Sequence, residues 1–317
     1  MTLSGRPLLD TEPDHRLFAG RDEELDRLVS LVRAGVNTLV VGERGSGKTT
    51  LLRQLAYTMR QEDPARAPVF VEGRLADTPR DFLDLTRARL GLPPAGAGTG
   101  DLLELPALVA SLREAVEDER RVVLVDELAP DIAATIFGRL RDEVWQVPLT
   151  WVVATTPDDS VVLRTPPADA FFESVVPLDG LTADEQRELL VARLGEEGAE
   201  IARQIDEGNP RRLLALARAA RETGTSPAEQ QEAMARRQVE IAKLGRPATM
   251  LMSELESLGP ASASDERLLQ RLGWTRSRAV QVFRELEDAG FVTASYVRGP
   301  AGGRQKVYRP TDPREQQ

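Results

Sequence analysis

The stretch GERGSGKTT, residues 42–50, directly follows the apolar run NTLVV, residues 37–41, and leads into a helical pattern. It satisfies G-x-x-x-x-G-K-[ST], and a preceding strand with a following helix is the context in which that pattern forms a phosphate-binding loop. Glycines are needed because a Cβ would keep phosphate away from the backbone N–H groups at the helix N-terminus. A Gly-rich turn for ordinary strand-to-helix packing is the alternative, and this context disfavours it.

The side chains of the loop have separate predicted roles. Lys48 is expected to bridge the β- and γ-phosphates, and the Thr49 hydroxyl is expected to bind magnesium. The predicted cofactors are therefore ATP or ADP together with Mg2+. The loop residues predicted to contact the nucleotide are Gly42, Gly45, Ser46, Gly47, Lys48, Thr49 and Thr50.

A second motif is VVLVDE, residues 122–127. An Asp at the end of a buried strand can reach the magnesium shell, and a carboxylate beside it can orient the attacking water. We therefore predict Asp126 as the acid on the metal side and Glu127 as the catalytic base. The alternative is that acidic residues often end strands and begin loops. A GTPase is disfavoured, because none of the three lysines lies in an N-K-x-D element.

Composition restricts the remaining chemistry. The chain of 317 residues has no cysteine and one histidine, His15, which excludes disulfides, a Cys nucleophile and a His or Cys zinc site. Neither a secretion signal nor a long apolar run is evident, so we expect a cytoplasmic protein without a membrane partner. The net charge is −10, but residues 246–317 carry 11 Lys and Arg against 9 Asp and Glu, a balance of +2. Positive charge is thus concentrated near the C-terminal end.

Apolar strands alternate with helical patterns to about residue 178, which predicts a doubly wound α/β domain with a parallel sheet. The Pro-, Gly- and Ala-rich residues 91–100 are predicted to form a surface loop. Beyond residue 180 the pattern becomes wholly helical. The predicted units are an N-terminal arm at 1–16, a P-loop core at 17–179, a helical lid at 180–225, a linker helix at 226–246 and a winged helix-turn-helix domain at 247–317.

Four features together resemble AAA+ ATPases: FAGRDEELDRL at 18–28, the two nucleotide motifs, VVATT at 152–156 and GNPRRLLALAR at 208–218. The similarity is greatest to the origin-recognition initiator clade of archaea and eukaryotes and its bacterial relatives, and it covers about residues 17–223. The resemblance implies an AAA+ core with an all-α lid and a C-terminal winged helix. It also implies residues near adenine (Phe18, Gly20, Arg21), a sensor-1 hydroxyl near the γ-phosphate (Thr156, with Thr155 as the second choice) and a sensor-2 arginine in the lid (Arg211).

Each of these assignments has a structural alternative. Arg21 could simply pair with a nearby acid, and the two threonines could be ordinary residues at a strand end. Asn209 could cap an unremarkable helix with Pro210 at its first position and solvated arginines behind it.

The sequence departs from the AAA+ pattern at one position. Many AAA+ proteins carry an arginine just before the strand that closes the core, placed to touch the γ-phosphate of a neighbouring subunit. The corresponding stretch here is DAFFESVVPL, residues 169–178, with Glu173 where that arginine is expected. Arg164 is the alternative candidate. This departure favours a slow, switch-like ATPase over a processive motor.

The C-terminal unit has three helical patterns followed by two alternating stretches around GPAGG, residues 299–303, which predicts a helix-turn-helix with a hairpin wing. In such a domain the third helix presents polar residues to the major groove of DNA. Residues 274–309 carry seven Lys and Arg and three acids. The predicted DNA contacts are Thr275, Arg276, Ser277, Arg278, Gln281, Arg298, Arg304 and Lys306. The residues interpreted as core are Trp274, Val280, Phe283, Leu286 and Phe291.

The leading hypothesis is an ATPase that couples its nucleotide state to binding of double-stranded DNA through the winged helix. Its biological setting would be initiator- or loader-like, or that of a helper ATPase in a mobile element or defence system. The alternative is a signalling switch of the STAND type, whose winged helix contacts a partner effector protein instead of DNA. Self-association is left open.

Overall fold

The computed structural model describes residue 3 and residues 5–64, 67–94, 104–116, 121–298 and 304–311. The chain divides into two compact units, Met1–Pro227 and Ala228–Gln317. Among the described residues, every helix is too short or too polar to cross a lipid bilayer.

The first unit is a sheet of parallel strands with helices on both faces, followed by a helical lid. Its strands are β1 (Thr38–Gly42), β2 (Val69–Glu72), β3 (Arg121–Asp126), β4 (Leu149–Thr155) and β5 (Ser174–Leu178). Its helices are α1 (Glu12–His15), α2 (Asp22–Arg33), α3 (Lys48–Glu62), α4 (Pro79–Arg89), α5 (Leu105–Ala115), α6 (Pro130–Ala134), α7 (Arg141–Trp145), α8 (Pro157–Leu163), α9 (Ala183–Leu194), α10 (Glu196–Ala202) and α11 (Pro210–Thr223).

The strand order is β2-β3-β4-β1-β5, and all the pairings are parallel. Strands β3 and β4 are buried almost throughout, because one face packs against a core that includes Phe82, Phe137 and Trp151 and the other packs against α2 and α3. Since parallel strands end at the same edge of a sheet, the carboxyl ends of β1, β3 and β4 are neighbours. The predicted parallel α/β fold is confirmed.

Residues 5–16, which belong to the predicted N-terminal arm at 1–16, pack on helix α3 and are called the N-terminal strap below. The backbone N–H of Leu8 donates to the Thr50 hydroxyl at 3.3 Å, and its carbonyl accepts from the Arg53 guanidinium at 2.6 Å. The strap is held by contacts along one face of α3. The strap has no apolar periodicity of its own from which these contacts could be predicted.

A charged network fastens the same segment one to three turns further along α3. Asp10 accepts from Arg60 at 2.5 and 2.8 Å and lies 2.8 Å from Nε2 of His15. His15 is buried, stacks on Tyr57 with ring centroids 3.9 Å apart, and contacts Gln54 through Nδ1 at 2.8 Å. The hydrogen bond from Arg60 is the main reason that the pKa of Asp10 is lowered from 3.8 to about 2.

The second unit consists of helices and a hairpin: α12 (Pro227–Lys243), α13 (Arg246–Leu258), α14 (Glu266–Leu272), α15 (Arg276–Asp288), β6 (Val292–Arg298) and β7 (Arg304–Pro310). Strands β6 and β7 are antiparallel, and an isolated bridge joins Ala261 to Tyr308. The ring of Tyr308 stacks on Phe283 of α15 with centroids 4.1 Å apart. The element order is that predicted for a winged helix, while the predicted wing tip, residues 299–303, lies outside the described residues.

One core prediction in this unit is wrong. Val280 is 45% exposed, whereas Phe283 and Leu286 are buried and Phe291 and Trp274 pack partly against the same core. The face of α15 that packs inward carries Ala279 and Phe283, so Val280 is turned outward by the helical repeat.

We expect Asp10→Asn to lower the melting temperature at neutral pH, because it removes the negative charge that Arg60 and His15 face. The lowered pKa of the folded state means that Asp10 stabilises the fold above pH 3.8 and loses this effect as the pH falls towards about 2. The partly solvated network is worth about 1 kcal/mol or less.

Calorimetric melting at several pH values checks this expectation. The difference between parent and variant should shrink between pH 5 and pH 3. The exposed Asp26 of α2 is the control, and its replacement by Asn should have little effect. A difference that does not change with pH would show that the charge of Asp10 does not fasten the strap.

Candidate nucleotide and nucleic-acid sites

The glycine-rich loop between β1 and α3 turns back on itself at two glycines. Gly45 has φ +85° and Gly47 has φ +101°, a backbone region that L side chains rarely adopt. Within this turn the Lys48 ammonium donates to the carbonyls of Gly42 at 2.6 Å and Glu43 at 2.9 Å. The loop therefore holds one cation at its centre, at the N-terminus of α3.

The two sequence motifs meet directly. The Thr49 hydroxyl donates to Oδ2 of Asp126 at 2.5 Å, although 77 residues separate them. Thr49 is in the first turn of α3 and Asp126 ends β3, so the contact joins the loop to the far side of β4. A hydroxyl and a carboxylate are hard oxygen ligands of the kind that Mg2+ prefers.

Burial is the main cause of the pKa shifts of two charged groups at this site. It lowers the pKa of Lys48, with smaller contributions from the cations Arg44 and Arg211, and it raises the pKa of Asp126, assisted by the charge of Glu127. Both groups therefore lack part of the solvation that would stabilise their charged forms. A phosphate beside Lys48 and a divalent cation beside Asp126 would supply opposite charges, so the residues present fit a magnesium nucleotide.

Glu127 has an unusual backbone. Its φ of 55° is the one positive value at a non-glycine position among the described residues, and its side chain is exposed, 3.7 Å from Nε of Arg74. The turn after β2 packs closely against the residue that follows Glu127, since a Cβ on Gly73 would lie 2.6 Å from Cα of Leu128. Gly73 and Arg74 were not predicted from the sequence, where their only signal is the EGR that ends the second strand.

The lid reaches the loop through the N-terminus of α11. Asn209 caps that helix, and its Nδ2 donates to the carbonyl of Arg44 at 2.9 Å. Gly45 fits beneath, because a Cβ there would lie 2.7 Å from Asn209 Oδ1 and 2.9 Å from Cβ of Arg211. Arg211 is exposed and close enough for its charge to act on Lys48. Asn209 thus caps α11 and contacts the loop at the same time. The sequence feature that indicated this contact is the cap residue itself.

The residues predicted near adenine lie where core and lid meet. Phe18 packs partly against the core, and a Cβ on Gly20 would lie 2.9 Å from the carbonyl of Glu185 in α9. Arg21 is buried, pairs with Glu24 at 2.6 Å and donates to the carbonyl of Asp179. Arg21 thus forms the ion pair considered as its structural alternative.

The hydrogen bonds that the structure shows for the remaining predicted residues of this site involve neither Lys48 nor Asp126. The Thr156 hydroxyl caps α8, accepting from the Asp159 N–H at 3.2 Å and donating to its carboxylate at 2.7 Å, while Thr155 is buried at the end of β4. The Thr50 hydroxyl accepts from the strap. Arg164 is exposed at the C-terminus of α8, and Ser46 is buried in the loop.

The predicted DNA contacts lie on α15 and the hairpin. Some are exposed, and others contact neighbouring side chains. Thr275 caps α15, and Arg276, Ser277 and Arg304 are exposed. Arg278 donates to Gln281 at 3.1 Å and lies over Trp274, 6.0 Å from the ring centroid. Lys306 is not a free cation, because it pairs with Glu287 at 2.7 Å. The side chain of Arg298 lies outside what the structure describes.

Comparisons with known proteins agree with this architecture. Residues 33–159, less than half of the chain, match the family model described as AAA domain. The ORC1 protein of Aeropyrum pernix in complex with DNA is similar at 19% identity and TM-score 0.50, over 92% of this chain and 89% of that one. No curated protein matches the sequence.

Two further solved structures resemble the chain. The ORC2 protein of Aeropyrum pernix in ADPNP–ADP complexes has 15% identity and TM-score 0.56, over 92% of this chain and 90% of that one. Cdc6p of Pyrobaculum aerophilum has 18% identity and TM-score 0.53, over 99% of this chain and 94% of that one. Together with the sheet order and the loop, these findings define the fold as that of an AAA+ P-loop nucleoside triphosphatase.

Gly45 and Gly47 form a matched pair that tests the contact between loop and lid. Alanine at either position has a positive φ, which costs about 1 to 2 kcal/mol. At Gly45 the methyl group also meets Asn209 and Arg211, whereas at Gly47 nothing lies within 4 Å. Gly45→Ala should therefore lower the melting temperature of the nucleotide-free protein further than Gly47→Ala, by about 2 to 4 °C for each additional kcal/mol. Equal losses measured by calorimetry would contradict a tight contact.

Proposed function

We propose that this chain is a slow, Mg2+-dependent ATPase that binds ATP and ADP and uses them as a conformational switch. The observation that carries the proposal is the 2.5 Å contact between Thr49 and Asp126 beside the half-buried Lys48. It brings a hydroxyl, a carboxylate and an ammonium group together at the N-terminus of a helix, where phosphate is favoured. A packing turn would have no need of this combination.

Each residue has a role in this proposal. Lys48 and the loop N–H groups would hold the phosphates, and Thr49 and Asp126 would hold Mg2+, which when bound neutralises phosphate charge. Glu127 would accept a proton from the attacking water, and Arg211 would signal the γ-phosphate to the lid. Two features support slow turnover. The Thr156 hydroxyl is engaged as a helix cap, and Glu173 stands where many AAA+ proteins carry the arginine that touches the γ-phosphate of a neighbouring subunit.

Glu127→Gln should leave ATP affinity nearly unchanged and lower the hydrolysis rate about 100-fold or more, because the amide cannot accept the proton. Binding is measured with a fluorescent ATP analogue, and turnover is measured from phosphate release. The control is Glu72→Gln, since Glu72 pairs in register with Asp126 at the same sheet edge. Hydrolysis at the parent rate in Glu127→Gln, or an equal loss in both variants, would rule out Glu127 as the base.

We propose further that the nucleotide state controls binding of double-stranded DNA by the second unit. Residues 274–309 combine seven Lys and Arg with three acids, and Arg276, Arg278 and Arg304 are exposed. The similar ORC1 protein was solved in complex with DNA. In this arrangement α15 would enter the major groove and the hairpin would follow the phosphate backbone.

Fluorescence anisotropy of a labelled random duplex, titrated under ATP, ADP and no nucleotide, tests this proposal. We expect affinity that depends on the nucleotide and falls with salt. Arg276→Ala and Arg304→Ala should each weaken binding several-fold and reduce the salt slope by about one. Arg236→Ala is the control, because Arg236 pairs with Glu232 on α12. Binding that ignores salt and both arginines would contradict a phosphate-contacting surface.

A signalling switch of the STAND type is the second candidate, and one observation favours it. The hairpin exposes 67% of Tyr296 while Lys306 is paired with Glu287, so this part of the surface is less basic than its sequence suggests. In that case the second unit would contact a partner effector protein. The absence of duplex binding in every nucleotide state would select this candidate.

A further inference from the structure

An apolar side chain stands in the middle of the exposed face of α15. Val280 is 45% exposed, and the outward-facing Arg276 and Arg284 lie four residues before and after it. Residues four apart are neighbours on one side of a helix, so the three side chains form a line. This line is called the α15 face below. The opposite side of the helix is fully occupied by the core, including Ala279 and Phe283.

The two arginines that flank Val280 are available to bind a partner. Within the described part of the chain, neither Arg276 nor Arg284 makes a hydrogen bond or an ion pair. Other cations of this unit are engaged, as Arg271 is with Glu254 and Lys306 is with Glu287. The α15 face therefore offers two free guanidinium groups to an anionic partner, with one apolar side chain between them.

The spacing of this face suits duplex DNA. A helix with its side chains is about 10 to 12 Å across, and the major groove of B-DNA, about 12 Å wide, admits such a helix. With Val280 over the base edges, the two guanidinium groups can reach phosphates on either side of the groove. The only apolar group that the bases present there is the C5-methyl of thymine.

The small apolar area that Val280 exposes distinguishes a protein partner from a DNA partner. A protein partner that buries a useful apolar area needs several neighbouring apolar residues. The exposed neighbours of Val280 within one turn include Ser277, Gln281 and Arg284, all of them polar. A single valine among polar side chains matches a single methyl group better than it matches a protein surface.

We infer that the α15 face reads duplex DNA and that Val280 contacts the C5-methyl group of a thymine. The inference rests on the proposed DNA binding of the second unit and adds a base preference to it. Arg276 and Arg284 supply affinity through phosphates, which carry no sequence information. Val280 supplies discrimination, because only thymine fills the space in front of it with a methyl group.

The experiment compares thymine with uracil, which differ by this one methyl group. A duplex pool is first enriched from a randomised library by the parent protein with ATP, and is then amplified once with dTTP and once with dUTP. Affinities for both pools are measured for the parent, for Val280→Ala and for Val239→Ala. Val239 is the matched control, as a valine 57% exposed on α12.

For the parent and for Val239→Ala, the uracil pool should bind about three- to fivefold more weakly, the size expected for one buried methyl group. Val280→Ala should bind the thymine pool more weakly by a similar factor and no longer distinguish the two pools. Such coupling between the two changes identifies the contact itself.

Two failures have different meanings. If the pool does not enrich, or if Val280→Ala still prefers thymine as the parent does, the thymine contact is overturned while DNA binding stands. If no duplex binds in any nucleotide state, the proposed DNA function is overturned together with this inference. Circular dichroism of Val280→Ala confirms an intact fold, which an exposed position should preserve.

Discussion

The hydrogen bond between the Thr49 hydroxyl and the Asp126 carboxylate depends on the order of the strands. Strand β4 lies between β1 and β3, so the loop that follows β1 and the acid that ends β3 face each other across one strand. An order with more strands between β1 and β3 would separate the two motifs by a wider part of the sheet. The lowered pKa of Lys48 and the raised pKa of Asp126 both result mainly from the partial loss of solvation at this site. A magnesium nucleotide is the partner that would offset both.

The loop is held from two further directions within the first unit. Asn209 of the lid contacts the carbonyl of Arg44, and Gly45 allows this approach because it has no side chain. The N-terminal strap contacts the other end of the site, where Leu8 donates to Thr50. The loop therefore shares direct contacts with both the lid and the strap. In the proposed switch, these are the segments whose contacts would respond to the nucleotide.

The second unit shows how one packing detail alters a functional interpretation. In a sequence a valine on an amphipathic helix is naturally assigned to the core, but the register of α15 turns Val280 outward between two arginines. Lys306 shows the reverse case, since its pairing with Glu287 removes a cation that the sequence counted as available. Net charge alone is therefore a weaker guide to this surface than the identity of the cations that remain unpaired.

Local pattern was sufficient for the parallel α/β fold and for a glycine-rich loop between a strand and a helix, because each is encoded in a short run of residues with a fixed period or spacing. Contacts between distant segments were beyond it. Each of four features depends on which surfaces meet in three dimensions: the strap on α3, the close approach of Gly73 to Leu128, the ion pair of Arg21 and the outward register of Val280. Only the tertiary structure decides such meetings, since burial and close approach are properties of the packed chain and not of its local sequence.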